Sequence, residues 1–473
     1  MLVRFRAARL AGSLRLLVMA ACLGGASHAC AQTLIGRSDT PHVQASLGAL
    51  STTAGSPELR ADQQALLDRT IRNPDDLEAT YAYVEVSRRL GDAEAAIGAL
   101  ERLVNYNPSL ARANYELGVL YHQLGSYDAA ARYLRAAAAS PTLEAATKAR
   151  VDALYGETVK QQKQSRWSGF LQTGLRYQSN ANFVPPGGIV RLNGQDLLLS
   201  PRDRRQSDGS VFGLAQIAND YDLENQRGDV LETRLVGFGS KQFRATEFDF
   251  GYVEASFGPR FGLPELIPGA SIKPYVIGQT SALSGERTLY ASSAGAGVTM
   301  RLPLFAGFTV EPGIEARALS INDRDPLTST FNGGTSVAGY LVTTAKLTDS
   351  VDLEARFIGL RIDGGRLGPS LTKRGANVAL SVQFDPPSEL IARKWKVSPF
   401  IGAAVLDFDR ANAFVDPRVT RGDTEFRAGV VLDAPATESI GISALVQYDR
   451  INSNLPNYRQ RGFTVLGGPT VRF

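Results

Sequence analysis

Beyond Trp167 the chain alternates apolar and polar residues with a period of two. In "FTVEPGIEARALS", Phe308, Val310, Pro312, Ile314, Ala316 and Ala318 share one face, while Thr309, Glu311, Gly313, Glu315 and Arg317 share the other. In "SVDLEARFIGL", Val351, Leu353, Ala355 and Phe357 oppose Asp352, Glu354 and Arg356. "SIGISALVQY" sets Ile440, Ile442, Ala444, Val446 and Tyr448 against Gly441, Ser443 and Gln447. Successive side chains of a strand point to opposite faces, so each segment reads as a strand with one apolar face. A soluble sandwich would have to bury that face against a second sheet. A transmembrane barrel turns it to lipid and lines its lumen with the polar residues. Segments of this kind fall at about 167–177, 210–221, 230–240, 246–258, 270–281, 287–302, 306–320, 334–346, 349–363, 372–385, 396–409, 424–434, 437–449 and 459–473. They make fourteen strands, an even number, as bacterial barrels require.

Before residue 165 the period is helical, and it repeats. Residues 32–56 lack sustained periodicity and read as a linker. Pro74 recurs as Pro108 and Gly91 as Gly125, each pair 34 residues apart, and Pro141 follows Pro108 after 33. In "ARANYELGVLYHQLGSYDAAARYLRAAAASP", Leu117, Gly118, Tyr121, Gly125, Tyr127, Ala130, Leu134 and Ala137 occupy the positions of a tetratricopeptide repeat. Gly118 and Ala130 would let two antiparallel helices approach closely, and Leu117, Tyr121 and Leu134 would fill the space between them. The preceding copy, Leu77–Pro108, keeps Gly91, Ala96, Leu100 and Pro108 but has Tyr83 and Val84 where Leu and Gly are usual. Two full repeats, a helix before them and a closing helix near 143–163 predict a short solenoid over 57–164, whose default use is to offer a groove to a protein partner.

The N-terminus changes the compartment. Arg4, Arg6, Arg9 and Arg15 surround a short apolar stretch, and Ala29 and Ala31 flank Cys30, the plan of a secretory signal peptide cleaved after residue 31. A lipoprotein signal ending at Cys22 is the alternative. Cleavage after Ala31 would remove both cysteines and the four arginines that account for the net charge of +4, leaving 47 basic and 47 acidic residues. Nothing then argues for nucleic acid. No later stretch reaches the roughly 20 apolar residues of a membrane-spanning helix, so an exported chain that enters a membrane must do so as a closed barrel, 165–473. With the repeats in the periplasm, the longest connection, 178–209, lies outside the cell. Most return turns are brief, although those at 259–269 and 386–395 are Pro-rich exceptions.

Chemistry is sparse. After residue 165 there is no His and no Cys, which removes Ser-His and Cys-His hydrolysis and His-ligated metal from the barrel. Glu311, Glu315, Arg317, Glu354 and Arg356 read as a charge-compensated lumen wall rather than as an acid–base pair. No enzyme activity, cofactor or metal is expected. In "WSGFLQTGLRYQSNANF", the rings of Trp167, Phe170 and Tyr177 suit interfacial girdles, while Ser179, Asn180 and Asn182 open the first external loop, where a turn competes with a direct ligand role. In the last strand Phe463, Val465, Gly467, Pro469, Val471 and Phe473 share the lipid-facing side, with Pro469 removing a ladder bond.

Signal peptide, short repeat array and fourteen-strand barrel together resemble the surface lipoprotein assembly modifier (Slam-type) family of outer-membrane proteins. The string Tyr177-Gln178-Ser179-Asn180-Ala181-Asn182 is similar to the Y-D-S-N-x-N opening of that family's barrel, with Gln178 in place of Asp. The resemblance covers about residues 57–473 at the level of architecture. It implies a Gram-negative outer-membrane protein that moves lipoproteins or related protein cargo to the cell surface, its periplasmic repeats receiving cargo or a chaperone. The array is about half the family's usual length. A ring at Phe473 also resembles the signal read by the barrel-assembly machinery, so its deletion is expected to lower assembly. Polysaccharide export by a repeat-plus-barrel porin and a passive porin with a tethering domain remain open alternatives.

Overall fold

The computed structural model describes residues 57–73, 76–141, 143–161, 163–225, 227–284, 288–321, 333–364, 370–387 and 393–473. The expected signal peptide, 1–31, and linker, 32–56, lie outside the described residues. The rest forms two units, one helical and ending near Arg166, the other a barrel from Trp167 onward.

The helical unit holds α1 (Pro57–Arg72), α2 (Leu77–Leu90), α3 (Ala93–Tyr106), α4 (Ala111–Gln123), α5 (Tyr127–Ala138) and α6 (Ala145–Gln161). The two repeats are α2–α3 and α4–α5. Their recurring glycines have one cause: Gly91 and Gly125 take left-handed φ values of 76° and 75°, which a Cβ would oppose. At each, the glycine N–H and the following N–H turn back to the last helical turn, from Gly91 to Arg88 and Asp92 to Ser87, and from Gly125 to His122 and Ser126 to Tyr121. Both are Schellman closures. Asp76 and Asp92 then cap α2 and α3, accepting from the amides of Ala79 and Ala95. The core between helices is Leu100, Leu117 and Leu134, all fully buried, with Ala96, Ala113 and Ala130. Tyr83 and Val84 are buried among them despite departing from the repeat's usual types.

The barrel strands are β1 (Ser165–Gln178), β4 (Asp208–Asp222), β5 (Val230–Gln242), β6 (Phe250–Gly262), β7 (Ser271–Leu283), β8 (Thr288–Phe305), β9 (Phe308–Ile321), β10 (Gly333–Thr348), β11 (Val351–Asp363), β12 (Leu371–Phe384), β13 (Trp395–Ala411), β14 (Thr420–Pro435), β15 (Ile440–Ser453) and β16 (Gln460–Arg472). A small hairpin, β2 (Ile189–Leu192) and β3 (Gln195–Leu198), stands in the first loop. Each barrel strand pairs with its sequence neighbour, and β1 with β16, so the sheet closes and leaves no edge. Fourteen strands form, as the alternation predicts. Bounds shift by up to four residues, as at β6, expected from 246 but starting at Phe250 because Thr246–Phe248 winds into a 3-10 turn. The amides of Arg244 and Ala245 leading into it donate to Asp208.

The predicted faces hold. Ile314, Phe357 and Ile442 are exposed on the outside, while Arg317 is buried inside. Among the described residues no helix is long and apolar enough to cross a membrane; the strands, whose backbone groups are satisfied around the closed sheet, are the elements built for it. Trp167, Phe305 and Phe473 are exposed at the rim where β1 begins, the turn rim, and Tyr177 and Phe463 toward the opposite loop rim. These are the two aromatic girdles of a transmembrane barrel. Phe170 does not join them. It lies on the opposite parity from Trp167 and Tyr177, is buried inside the lumen, and packs with Leu214 and Phe238. On β1 an even-numbered ring must face inward.

Bulk on the inner face is matched by glycine. The Tyr275 ring covers Gly297, where a Cβ would stand 2.6 Å from the phenol, and Phe400 covers Gly429 at the same distance.

Candidate functional site: the barrel lumen

One inner wall is a network of paired charges. Glu232 on β5 accepts from Arg260 Nε (2.5 Å) and Lys273 Nζ (2.7 Å) on β6 and β7, and Arg234 lies 3.6 Å away. Asp220 on β4 takes the other side of Arg234 at 2.5 Å. Higher on the same wall, Glu315 accepts from Arg317 Nε (2.5 Å) and from the Tyr275 hydroxyl (2.8 Å), which lies 3.0 Å from the hydroxyl of Tyr340. Arg317 also donates to Glu254 and Gln279, each at 3.1 Å. Of the other predicted lumen residues, Glu311 lies 3.7 Å from Arg301 and Glu354 3.5 Å from Arg356. All five therefore face inward; Glu315 and Arg317 pair directly within the network of Tyr275, Glu254 and Gln279, and Glu354 pairs with Arg356. Each carboxylate is held beside a cation, so the arrangement stiffens the wall rather than presenting a poised acid or base.

Apolar side chains also face the lumen, set among the ion pairs Lys373–Glu425, Arg427–Asp449 and Arg472–Asp433. Phe212 on β4, Phe400 on β13, Val431 on β14, Leu445 on β15 and Leu466 on β16 form one buried cluster, joined by Phe238 on β5. These strands follow one another around the ring as β13, β14, β15, β16, β1, β4 and β5, with Val431 paired to Leu445 and Leu445 to Leu466, so the cluster is a continuous apolar patch along the wall. A second inward-facing cluster gathers Tyr290, Ile321, Leu360, Ile362, Leu371, Leu406 and Phe408 toward the loop rim. The sequence reading anticipated a lumen of Glu, Arg, Gln and Thr and missed both clusters. On β4, Phe212 and Leu214 face inward while Val211 and Ala215 face outward, so both faces are apolar and alternation gives no signal.

The motif after β1 is structural in its contacts. The Ser179 hydroxyl accepts from the Phe463 amide (2.8 Å) and from Arg205 (2.7 Å). Asn180 exchanges two hydrogen bonds with the backbone of Val184, and Asn182 bridges the Arg204 carbonyl and the Gln206 amide. Both asparagines are buried, and Tyr177 is exposed on the outer wall. The string fastens the first loop to the barrel.

In the helical unit, Leu117, Gly118, Ala130 and Leu134 are buried between helices, where they build the array and line no groove. A Cβ on Gly118 would stand 2.5 Å from Leu134 Cγ. Tyr121 remains half-buried, stacks on Tyr133 at 5.6 Å and donates to Glu101 at 2.6 Å. Burial, reinforced by the Glu101 carboxylate, pushes its phenol up to about 12. Gly125 is exposed and Tyr127 half-buried, its ring packing edgewise on His122.

His122 is buried, with Nδ1 2.9 Å from the Thr158 hydroxyl, which itself donates to the Leu154 carbonyl. The imidazole therefore donates at Nδ1, a bond that both protonation states can make. Burial holds its pKa below the ordinary histidine value. A lowered pKa favours the neutral folded form, so its contribution is fully present above about 6.5 and is lost as pH falls from there through the folded value. Thermal unfolding of the helical unit should show this acid loss, and His122→Gln should flatten it; an unchanged slope would contradict the assignment.

A tetratricopeptide-repeat family profile matches residues 85–144. No curated protein matches the sequence. Among solved structures, the chain is similar to a loop L8 deletion mutant of OmpT, an outer-membrane protein of Vibrio cholerae (9% identity, 65% of this chain and 99% of that one, TM-score 0.33). It is similar also to a bacterial polysaccharide outer-membrane secretin (10%, 64% and 98%, TM-score 0.33) and to an outer-membrane channel from Pseudomonas putida F1 (12%, 65% and 96%, TM-score 0.35). The chain joins tetratricopeptide-type helices to a closed fourteen-strand antiparallel barrel.

Proposed function

We propose that this chain is a gated outer-membrane conduit that delivers protein cargo of the surface-lipoprotein class to the cell surface, with the helical repeats receiving cargo or a chaperone on the periplasmic side. The observation that carries this reading is the buried apolar patch of Phe212, Phe400, Val431, Leu445 and Leu466 on the lumen wall. A passive porin keeps a polar, water-filled channel. Apolar side chains buried inside the barrel suit a conduit that opens only when engaged. The repeats supply a place for engagement, because such arrays present extended surfaces to protein partners. The resemblance of the Tyr177–Asn182 string favours lipoprotein cargo. The protein works without a cofactor and without covalent chemistry in this reading, and its other partners are outer-membrane lipid and the barrel-assembly machinery.

The test is to delete the gene and compare the protease-accessible surface proteome with secreted polymer. Loss of a surface lipoprotein, restored by complementation, supports the reading. Loss of polymer with an intact surface proteome would replace it with polysaccharide export.

A further inference from the structure

Three loops of the loop rim are fastened to one another, and one of them to the lumen. Arg421 on β14 faces inward, pairs with Asp423 at 2.5 Å and is sandwiched between two rings, its guanidinium 4.4 Å from the centroid of Phe408 and 3.6 Å from that of Tyr458. Phe408 belongs to the inward-facing apolar cluster. Tyr458 lies in the loop between β15 and β16, so that loop must turn in over the mouth for its ring to reach a lumen-facing cation. Its neighbour Asn457 is 1% exposed and grips the first-loop hairpin: Oδ1 accepts from the Arg191 amide at 2.6 Å, and Nδ2 donates to the Arg191 carbonyl at 2.9 Å. At the hairpin tip, the amides of Asn193 and Gly194 donate to the carbonyls of Phe414 and Val415 in the loop between β13 and β14. Val415, Leu455 and Tyr458 are packed together beneath.

We infer that these three loops form a clasp over the outer mouth, with Asn457 as its latch, and that the hairpin must release from Asn457 for cargo to emerge. The inference rests on the export reading above. The latch is suited to opening: Asn457 holds the hairpin by two side-chain to backbone hydrogen bonds, the other ties being the two tip amides and an Arg191–Asp416 pair at 3.5 Å, while the inner ring–guanidinium stack stays with the barrel. A side-chain amide satisfied on both edges holds a peptide unit in one place, and water can replace both bonds once the hairpin lifts.

The test uses the full-length chain in intact cells. No cysteine follows Cys30, so with the expected signal segment removed Arg191→Cys and Asn457→Cys place two thiols within reach of each other. Oxidation after assembly is expected to lower surface display of cargo about tenfold, by trapping one state, while the barrel keeps its folded electrophoretic mobility; reductant should restore display. A second pair, Asn193→Cys with Phe414→Cys, serves if the first does not assemble. Asn457→Ala should make the hairpin cleavable by trypsin at Arg191 without lowering display. Undiminished display from the oxidised, folded lock would overturn the clasp, as would a trypsin-resistant hairpin in Asn457→Ala. The deletion strain separates the two readings: if deletion lowers display and the lock does not, the clasp alone is wrong. If deletion changes nothing, the export reading falls and the clasp with it.

Discussion

Replacing Glu232 with alanine is expected to destabilise the barrel by about 3–5 kcal/mol, the range for removing one partner of a buried ion pair. Glu232 is 1% exposed and is the shared acceptor of Arg260 and Lys273, with Arg234 also beside it. Its loss leaves three cations on neighbouring strands with only Asp220 among them. Lys273→Met removes one of the three and should cost less, because Arg260 and Arg234 still neutralise the carboxylate and the methionine stem fills the same space. Urea unfolding in detergent micelles, followed by tryptophan fluorescence, measures both. Equal losses for the two variants would show that packing rather than charge balance holds this wall.

The second large effect is expected at the seam. Between β1 and β16 the ladder runs in one register but lapses at Thr173 and Gly174, opposite Gly468 and Pro469. Here the backbones approach so closely that a Cβ on Gly174 would stand 2.8 Å from the Gly467 carbonyl carbon and 2.9 Å from Gly468 Cα. Backbone cannot yield as a side chain can, so Gly174→Val should prevent the first and last strands from closing and abolish most folded barrel. Overpacking of this kind costs upwards of about 1–3 kcal/mol, here concentrated on the single non-local strand pairing. Phe473 contributes from the end of the same seam. It exchanges backbone hydrogen bonds with Gly169 at 2.9 and 3.2 Å, and its ring lies over that glycine. Phe473→Ala keeps the backbone bonds and loses the ring, so it should lower folded barrel less than Gly174→Val does. The ratio of heat-modifiable to unfolded protein on cold gels reads both; normal folding of Gly174→Val would refute the seam geometry.

Much of this architecture was legible because it depends on local rules. Gly91 and Gly125 recur since each helix ends in a left-handed residue, and the inward positions of Glu311, Glu315, Glu354 and Arg356 follow from strand parity. What parity could not reach is long-range. Glu232 meets its cations 28 and 41 residues away, and the apolar lumen patch is assembled from single residues of several strands, such as Leu445 between Ser443 and Gln447 on an otherwise polar inner face. The first-loop hairpin is absent from the sequence reading for the same reason. Its strands are four residues each, and its position is fixed by Asn457, 266 residues distant. Phe170 was misplaced because its aromatic type suggested a girdle, whereas its even register decides its side.

The central proposal is that apolar side chains buried inside the barrel keep the resting lumen closed. Single-channel recording of the purified full-length protein in planar lipid bilayers tests it most directly. A closed lumen predicts insertion without a steady ohmic current, and brief openings at most. A large, persistent conductance from the unmodified protein would contradict it and return the barrel to the class of passive porins.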